Sequence, residues 1–224
     1  MIDAQEQLPL KKNRTTGAIR KVRKSLSAKN KDAQGQGLKI PYVFCSPSQD
    51  PFKTVEWEKR KASISDEKGV VLFEQDGVSM PKSWSMLATN VVASKYFYGE
   101  IGSAQREHSL QQLIHRVART IADWGLRDGY FASADDAEAF YTELSWLCLH
   151  QYGSFNSPVW FNCGLFQQYG VGKDCGQGTY YFDRQKQAVR RPATQYEYPQ
   201  CSACFIQSVD DTMEDIMRLA SSEA

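Results

Sequence analysis

Gln105-Arg-Glu-His-Ser-Leu-Gln-Gln-Leu-Ile-His-Arg-Val-Ala-Arg-Thr-Ile-Ala-Asp-Trp124 sets Leu110, Leu113, Ile114, Val117, Ala118, Ile121 and Trp124 at steps of three and four residues. That spacing makes one apolar stripe on an α-helix. Gly125 is expected to stop it. A second helix is expected from Ser133, where Asp136 follows at capping-box spacing, with Phe140, Leu144, Leu147 and Cys148 on its apolar face to about Gln151. His115 and His150 lie on these helices without a partner in sequence, and no chemistry is assigned to them.

Upstream of the helices the texture is β-like. Lys39-Ile-Pro-Tyr-Val-Phe-Cys45 reads as a short edge strand because Pro41 lacks a donor. Val55-Glu-Trp-Glu58 alternates, residues 62–64 continue it, and Ser65-Asp-Glu-Lys-Gly69 is a turn. Val70-Val-Leu-Phe-Glu74 returns, so a hairpin is expected, closed by Asp76-Gly77 and Pro81.

Residues 11–31 hold nine basic side chains and no acid; with Asp3 and Glu6, residues 1–31 carry +7, so of the total +1 the remainder carries −6. Residues 1–37 have too little apolar surface to offset their ordering entropy and read as a disordered basic arm. It serves as a solubilising tail or, alternatively, as a polyanion tether. The chain has 224 residues, 42% hydrophobic and 24% charged, the composition of a globular protein. No apolar run reaches membrane-spanning length and no secretory leader opens the chain, so a cytoplasmic location without membrane partners is expected.

Downstream, Ser154-Phe-Asn-Ser-Pro-Val-Trp-Phe-Asn-Cys-Gly164 reads as a buried loop or strand whose polar atoms need partners. Residues 167–200 form a long insertion with a hairpin near Thr179–Phe182. Phe205-Ile206 reads as a strand. A helix follows Asp211, with Met213, Ile216, Met217, Leu219 and Ala220 on its apolar face, and its uncapped end implies that the chain itself ends unfinished. Cys201-Ser-Ala-Cys204 has the spacing of half a zinc site or a dithiol pair. A zinc- or thiol-based binding module would draw on Cys163, Cys175, Cys201 and Cys204, but the closed four-ligand requirement disfavours zinc, and no metal ligand is assigned. Cys45 and Cys148 read as small buried hydrophobes. A nucleic-acid adaptor using the arm lacks any recognisable reading motif.

The motif at 154–164, followed by Gln200-Cys-Ser-Ala-Cys-Phe-Ile-Gln-Ser-Val-Asp-Asp-Thr-Met-Glu-Asp-Ile216, resembles the vitamin B12-dependent (class II) ribonucleotide reductases. Asp50-Pro-Phe-Lys-Thr-Val-Glu-Trp57, Pro81-Lys-Ser-Trp-Ser-Met-Leu-Ala-Thr-Asn90 and Lys95-Tyr-Phe-Tyr-Gly99 are similar to that family's N-terminal region. The resemblance covers about residues 38–224.

It implies an α/β protein, α+β in this stretch. A β-hairpin and helical region over 38–151 would lead into the first part of a ten-stranded α/β barrel over 152–224 that the chain does not complete. It implies reduction of ribonucleotides to 2′-deoxyribonucleotides by a cysteine thiyl radical generated with adenosylcobalamin. Two further cysteines would supply the electrons, taken in turn from a thioredoxin-like reductant. Cys204 matches the first reducing cysteine. Ser157, Ala203 and Cys204 match substrate-binding positions. Asp211, Thr212 and Met213 match the start of the site for deoxynucleotide or ATP effectors. A homodimer is implied for the full-length enzyme. The implied activity is that of a ribonucleoside-diphosphate reductase, with a triphosphate substrate left open. The thiyl cysteine, the second reducing cysteine and most of the corrinoid site fall outside this chain, so the stretch alone is expected to be inactive. Cys201 matches no family role.

Overall fold

The computed structural model describes residues 37–172, 180–204 and 206–223. All of the basic arm except Gly37, together with Cys175 and Thr179, lies outside the described residues.

Strand β1 (Trp57–Ser65) pairs antiparallel with β2 (Val71–Pro81). The turn closes because the Asp66 carboxylate accepts from Lys68 N and Val70 N at 2.9 and 2.8 Å. Of the two closing points expected, the strand runs through Asp76-Gly77 and ends at Pro81. Arg60 faces Val78 but Ala62 faces Gln75, so Asp76 and Gly77 together oppose Lys61. This is a β-bulge, and Gly77 supplies its left-handed residue at φ +68°. The extra residue flips the side-chain phase. Gln75 is therefore buried on the same face as Val78 and Met80.

Arg60 ties the hairpin to the first helix. Its guanidinium donates to Trp84 O and Thr89 Oγ1, both at 2.7 Å, and to Lys82 O at 3.1 Å. Thr89 belongs to helix α1 (Met86–Val91), capped by Ser85 Oγ and continued by a π-helical turn over Val92–Tyr96. Arg106 closes that turn through Ala93 O, Phe97 O and Gly99 O at 2.6, 2.8 and 2.9 Å.

Helix α2 (Leu110–Arg127) begins at its Ser109 cap and buries Leu110, Leu113, Ile114, Val117 and Ala118 of the expected stripe, with Ile121 and Trp124 part-buried against the core. It runs straight through Gly125. A Cβ there would lie 2.4 Å from the Phe131 ring, so this glycine marks a close approach, not a stop. The helix ends at Asp128, and Gly129 turns the chain at φ +77°. Helix α3 (Ala134–Leu149) starts as expected: Ser133 Oγ accepts from Asp136 N at 3.1 Å. It packs on α2 through Arg119, which forks onto Glu138 at 2.8 and 2.9 Å and lies 3.6 Å over the Tyr141 ring. Both helical histidines do have partners, His115 with Tyr141 OH at 2.7 Å and His150 with Thr54 Oγ1 at 2.9 Å.

The 39–45 run forms no strand. Its amides are taken by α3 carboxylates: Ile40 N by Asp136 at 2.8 Å, and Phe44 N and Cys45 N by Glu143 at 3.0 and 2.9 Å. Phe44 then stacks on Trp146, 4.4 Å between centroids. Cys45 and Cys148 are buried, as expected, and burial pushes the Cys148 thiol up to about 11.

Two short helices, α4 (Ser157–Asn162) and α5 (Leu165–Tyr169), precede a small antiparallel hairpin of β3 (Tyr181–Asp183) and β4 (Ala188–Arg190). Helix α6 (Met213–Glu223) closes the described chain. The architecture is mixed α and β, with two two-stranded antiparallel sheets among the described residues. Cys201–Cys204 and Ile206–Asp210 form no strand. No described helix is long and apolar enough to cross a membrane.

Candidate functional site

Within the 154–164 motif, expected as a buried loop or strand, residues 157–162 form helix α4 and residues 154–156 lead into it as loop. Asn156 accepts from Val159 N at 3.2 Å, and Pro158 sits in the first turn, where its missing N–H costs nothing. Helix α4 stops at Cys163. Gly164 then turns left-handed at φ +83°, with space for a Cβ blocked by Arg116 O at 2.4 Å.

Arg116 anchors this corner. It is fully buried on the apolar face of α2 and pairs with the equally buried Glu107 at 2.9 Å. Its other donors reach Cys163 O at 2.6 Å and Trp160 O at 3.0 Å, which satisfies the carbonyl end of α4. Glu107 also accepts from Tyr169 OH at 2.7 Å and Tyr98 N at 2.8 Å. Burial, followed by the adjacent Glu107 charge, pushes the Tyr169 hydroxyl well above its ordinary range. A buried charge is tolerated only when paired and bonded in this way.

The second motif docks on the first. Asn162 Nδ2 donates to Gln200 O at 2.9 Å. One residue on, the Cys163 and Cys201 thiols are neighbours. The interaction with Cys201, with burial adding to it, raises Cys163, and the same interaction lowers Cys201. Cys163 is 1% exposed; Cys201 is half-buried against the core.

The sequence-assigned residues stand around this junction. Ser157 opens α4, with its hydroxyl 3.1 Å from Tyr96 OH. Ala203 and Cys204 are exposed, and Cys204 is a free thiol. Thr212 Oγ1 accepts from Asp215 N at 3.2 Å at the start of α6, while Asp211 and Met213 face solvent. Among the described residues no hydrogen bond or ion pair joins Ser157, Cys204 and Asp211 to one another. The structure joins their segments at Asn162–Gln200 instead. Sequence reasoning missed Arg116, Glu107, Tyr169 and Tyr96. A charged residue inside the Leu113–Ala118 stripe was the available signal for Arg116.

Two concavities stand out among the described residues. One, of about 580 Å³, is lined by Trp124, Phe131, Phe140 and four tyrosines with Arg127 and Asp128. The other, of about 390 Å³, lies between Tyr96, Cys148, Tyr152 and Trp160. Both suit drug-sized ligands, not a corrin macrocycle with its nucleotide tail. The described residues therefore do not fit a bound cobalamin. Among them no three His, Cys, Asp or Glu side chains converge to hold a metal ion.

A hairpin and a helical bundle thus fix two cysteine-bearing segments side by side. The sequence profile of the class II vitamin B12-dependent ribonucleotide reductases matches residues 58–100 and 99–151. Proteins called vitamin B12-dependent ribonucleotide reductase are similar to most of the chain. That of Rhodopirellula baltica is 57% identical over 190 residues, 84% of this chain and 18% of the relative. That of Streptomyces coelicolor is 42% identical over 184 residues, 82% and 16% respectively. That of Agrobacterium fabrum is 32% identical over 209 residues, 79% and 16%. The chain belongs to this family, as part of its N-terminal portion. It spans 16–18% of the length of these relatives.

Proposed function

We propose that this chain is the N-terminal part of an enzyme that reduces ribonucleotides to 2′-deoxyribonucleotides for DNA synthesis, with adenosylcobalamin as the radical source. The observation that carries the reading is the 57% identity over 190 residues to a protein of that name. The docking of the 200–204 segment on the 157–164 segment supports it, because the two motifs that first carried the resemblance meet there.

In this reading Cys204 is one of two reducing thiols. Each thiol gives one electron and one proton, the pair becomes a disulfide, and the ribose 2′-hydroxyl leaves as water. The exposure of Cys204 suits that exchange, since the attacking species is a thiolate that must be reached. Ser157 and the backbone of Ala203 and Cys204 hold the nucleotide. Tyr96 orients the Ser157 hydroxyl through their 3.1 Å contact. Asp211, Thr212 and Met213 begin the site for a deoxynucleotide or ATP effector. Residues 38–151 act as the supporting N-terminal unit, and 152–224 open a ten-stranded barrel completed by chain outside this stretch. The cobalamin belongs with that further chain, as do the second reducing thiol and the thiyl cysteine. A thioredoxin-like protein re-reduces the disulfide, and the whole enzyme works as a cytoplasmic homodimer.

The test is steady-state deoxynucleotide formation by the full-length enzyme with a dithiol reductant. Cys204→Ser keeps nucleotide binding and loses multiple turnover, because a hydroxyl cannot form a disulfide. Cys201→Ser retains most of it. If Cys201→Ser abolishes turnover while Cys204→Ser leaves it intact, the assignment is displaced by three residues and fails.

A further inference from the structure

Cys163 and Cys201 have no part in the chemistry above, yet the fold holds them together. Cys163 O is pinned by Arg116 at 2.6 Å, and the neighbouring Asn162 and Gln200 are bonded at 2.9 Å. Both backbones are therefore ordered before any reaction, so little conformational freedom remains to be lost when the sulfurs join. The two thiols are also unequal. Cys163 is enclosed, and its thiol is raised by the neighbouring Cys201 and by burial. Cys201 is half-buried, reaches solvent, and is lowered by the same interaction. The fixed charge of Arg116 lies close enough to be felt at Cys163.

We propose that Cys163 and Cys201 form a peroxide-sensitive dithiol, with Cys201 as the reacting sulfur and Cys163 as the resolving one. A peroxide is the oxidant. The Cys201 thiolate attacks one peroxide oxygen, the O–O bond breaks, and Cys201 becomes a sulfenic acid while hydroxide or alkoxide leaves. The Cys163 sulfur then attacks the Cys201 sulfur. The S–O bond breaks, the Cys163 proton goes to the departing oxygen, and one water and one disulfide result. Recovery takes one dithiol: two exchange steps return both cysteines to thiols and leave the dithiol oxidised.

The disulfide would fasten the 200–204 segment to the end of α4, three residues from Cys204. It would do so without consuming Cys204. The inference goes beyond the reductase reading and needs neither nucleotide nor cobalamin, so either can fail without the other.

The experiment uses the 224-residue chain with hydrogen peroxide at neutral pH, alkylation of remaining thiols, and mass mapping of unreduced peptides. A peptide linking Cys163 to Cys201 is expected, lost completely in Cys201→Ser and Cys163→Ser, and unchanged in Cys204→Ser. In Cys163→Ser combined with Cys204→Ser the Cys201 sulfenic acid has no neighbouring thiol to resolve it and is trapped by dimedone. Cys163→Ala, which buries no hydroxyl, gives the same trapping result if the serine variant does not fold. A linked peptide that contains Cys204 in place of Cys201, or dimedone labelling that spares Cys201, overturns the proposal.

Discussion

Gly164→Ala isolates how much the corner between α4 and α5 depends on a missing side chain. Any residue with a Cβ at φ +83° carries a left-handed penalty of roughly 1–2 kcal/mol. The added methyl would also lie 2.4 Å from Arg116 O, 2.7 Å from Arg116 Cγ and 2.8 Å from Thr120 Oγ1. Arg116 cannot swing aside, because its guanidinium is held by Glu107, Trp160 O and Cys163 O. Overpacking of that kind adds about 1–3 kcal/mol. The expected total is about 2–5 kcal/mol. Gly129→Ala is the control. It has nearly the same dihedral, φ +77°, and nothing within 4 Å of the added methyl, so it carries the backbone penalty alone. Guanidinium unfolding midpoints of the two variants give the difference directly, at unchanged slope. In thermal melts each kcal/mol corresponds to roughly 2–4 °C for a chain of this size. If Gly164→Ala proves as stable as Gly129→Ala, the close approach to Arg116 is not a constraint and the account of this corner is wrong.

Arg116→Met leaves Glu107 charged and buried, and removes the donors to Trp160 O and Cys163 O; a loss of about 3–5 kcal/mol is expected in the same unfolding assay. Asp136 is held below the usual carboxylate range by Ser133 Oγ first and by Ile40 N next. Its contribution to stability is therefore complete above the ordinary aspartate range and is lost as pH falls through its depressed value. Ser133→Ala should cost about 1 kcal/mol at neutral pH and flatten that acid limb, as read from unfolding midpoints between about pH 3 and 6.

The two long helices were legible because their signals are local. A stripe at steps of three and four, and a serine followed by an acid three residues on, are properties of neighbouring residues. What could not be read depends on contacts made later. Gly125 looks like a stop until Phe131 is seen lying on it. The 39–45 run has strand composition, but carboxylates from α3 take its amides before a second strand can. Asn156-Ser-Pro158 is in fact a helix start, and its cap signal was outweighed by the aromatic residues beyond it. The site divides in the same way. Cys204, Ser157 and Asp211 were named from motifs. The joining of Cys163 to Cys201 crosses a long insertion, and no spacing rule connects them.

Three arginines do most of the fastening, and their order along the chain has a consequence for synthesis. Arg60 holds carbonyls at residues 81, 82 and 84, and Arg116 holds those at 160 and 163. In both cases the guanidinium leaves the ribosome before the carbonyls it will bind. Until they emerge, water and the preceding carboxylates Glu58 and Glu107 meet a charge that cannot be discharged by losing a proton. Arg106 is the reverse: its carbonyls at 93, 97 and 99 are already out when it arrives. The groups that fasten the hairpin, the π turn and α4 thus become available one after another from the N-terminus, each set served by an ion that needs no change of state to act.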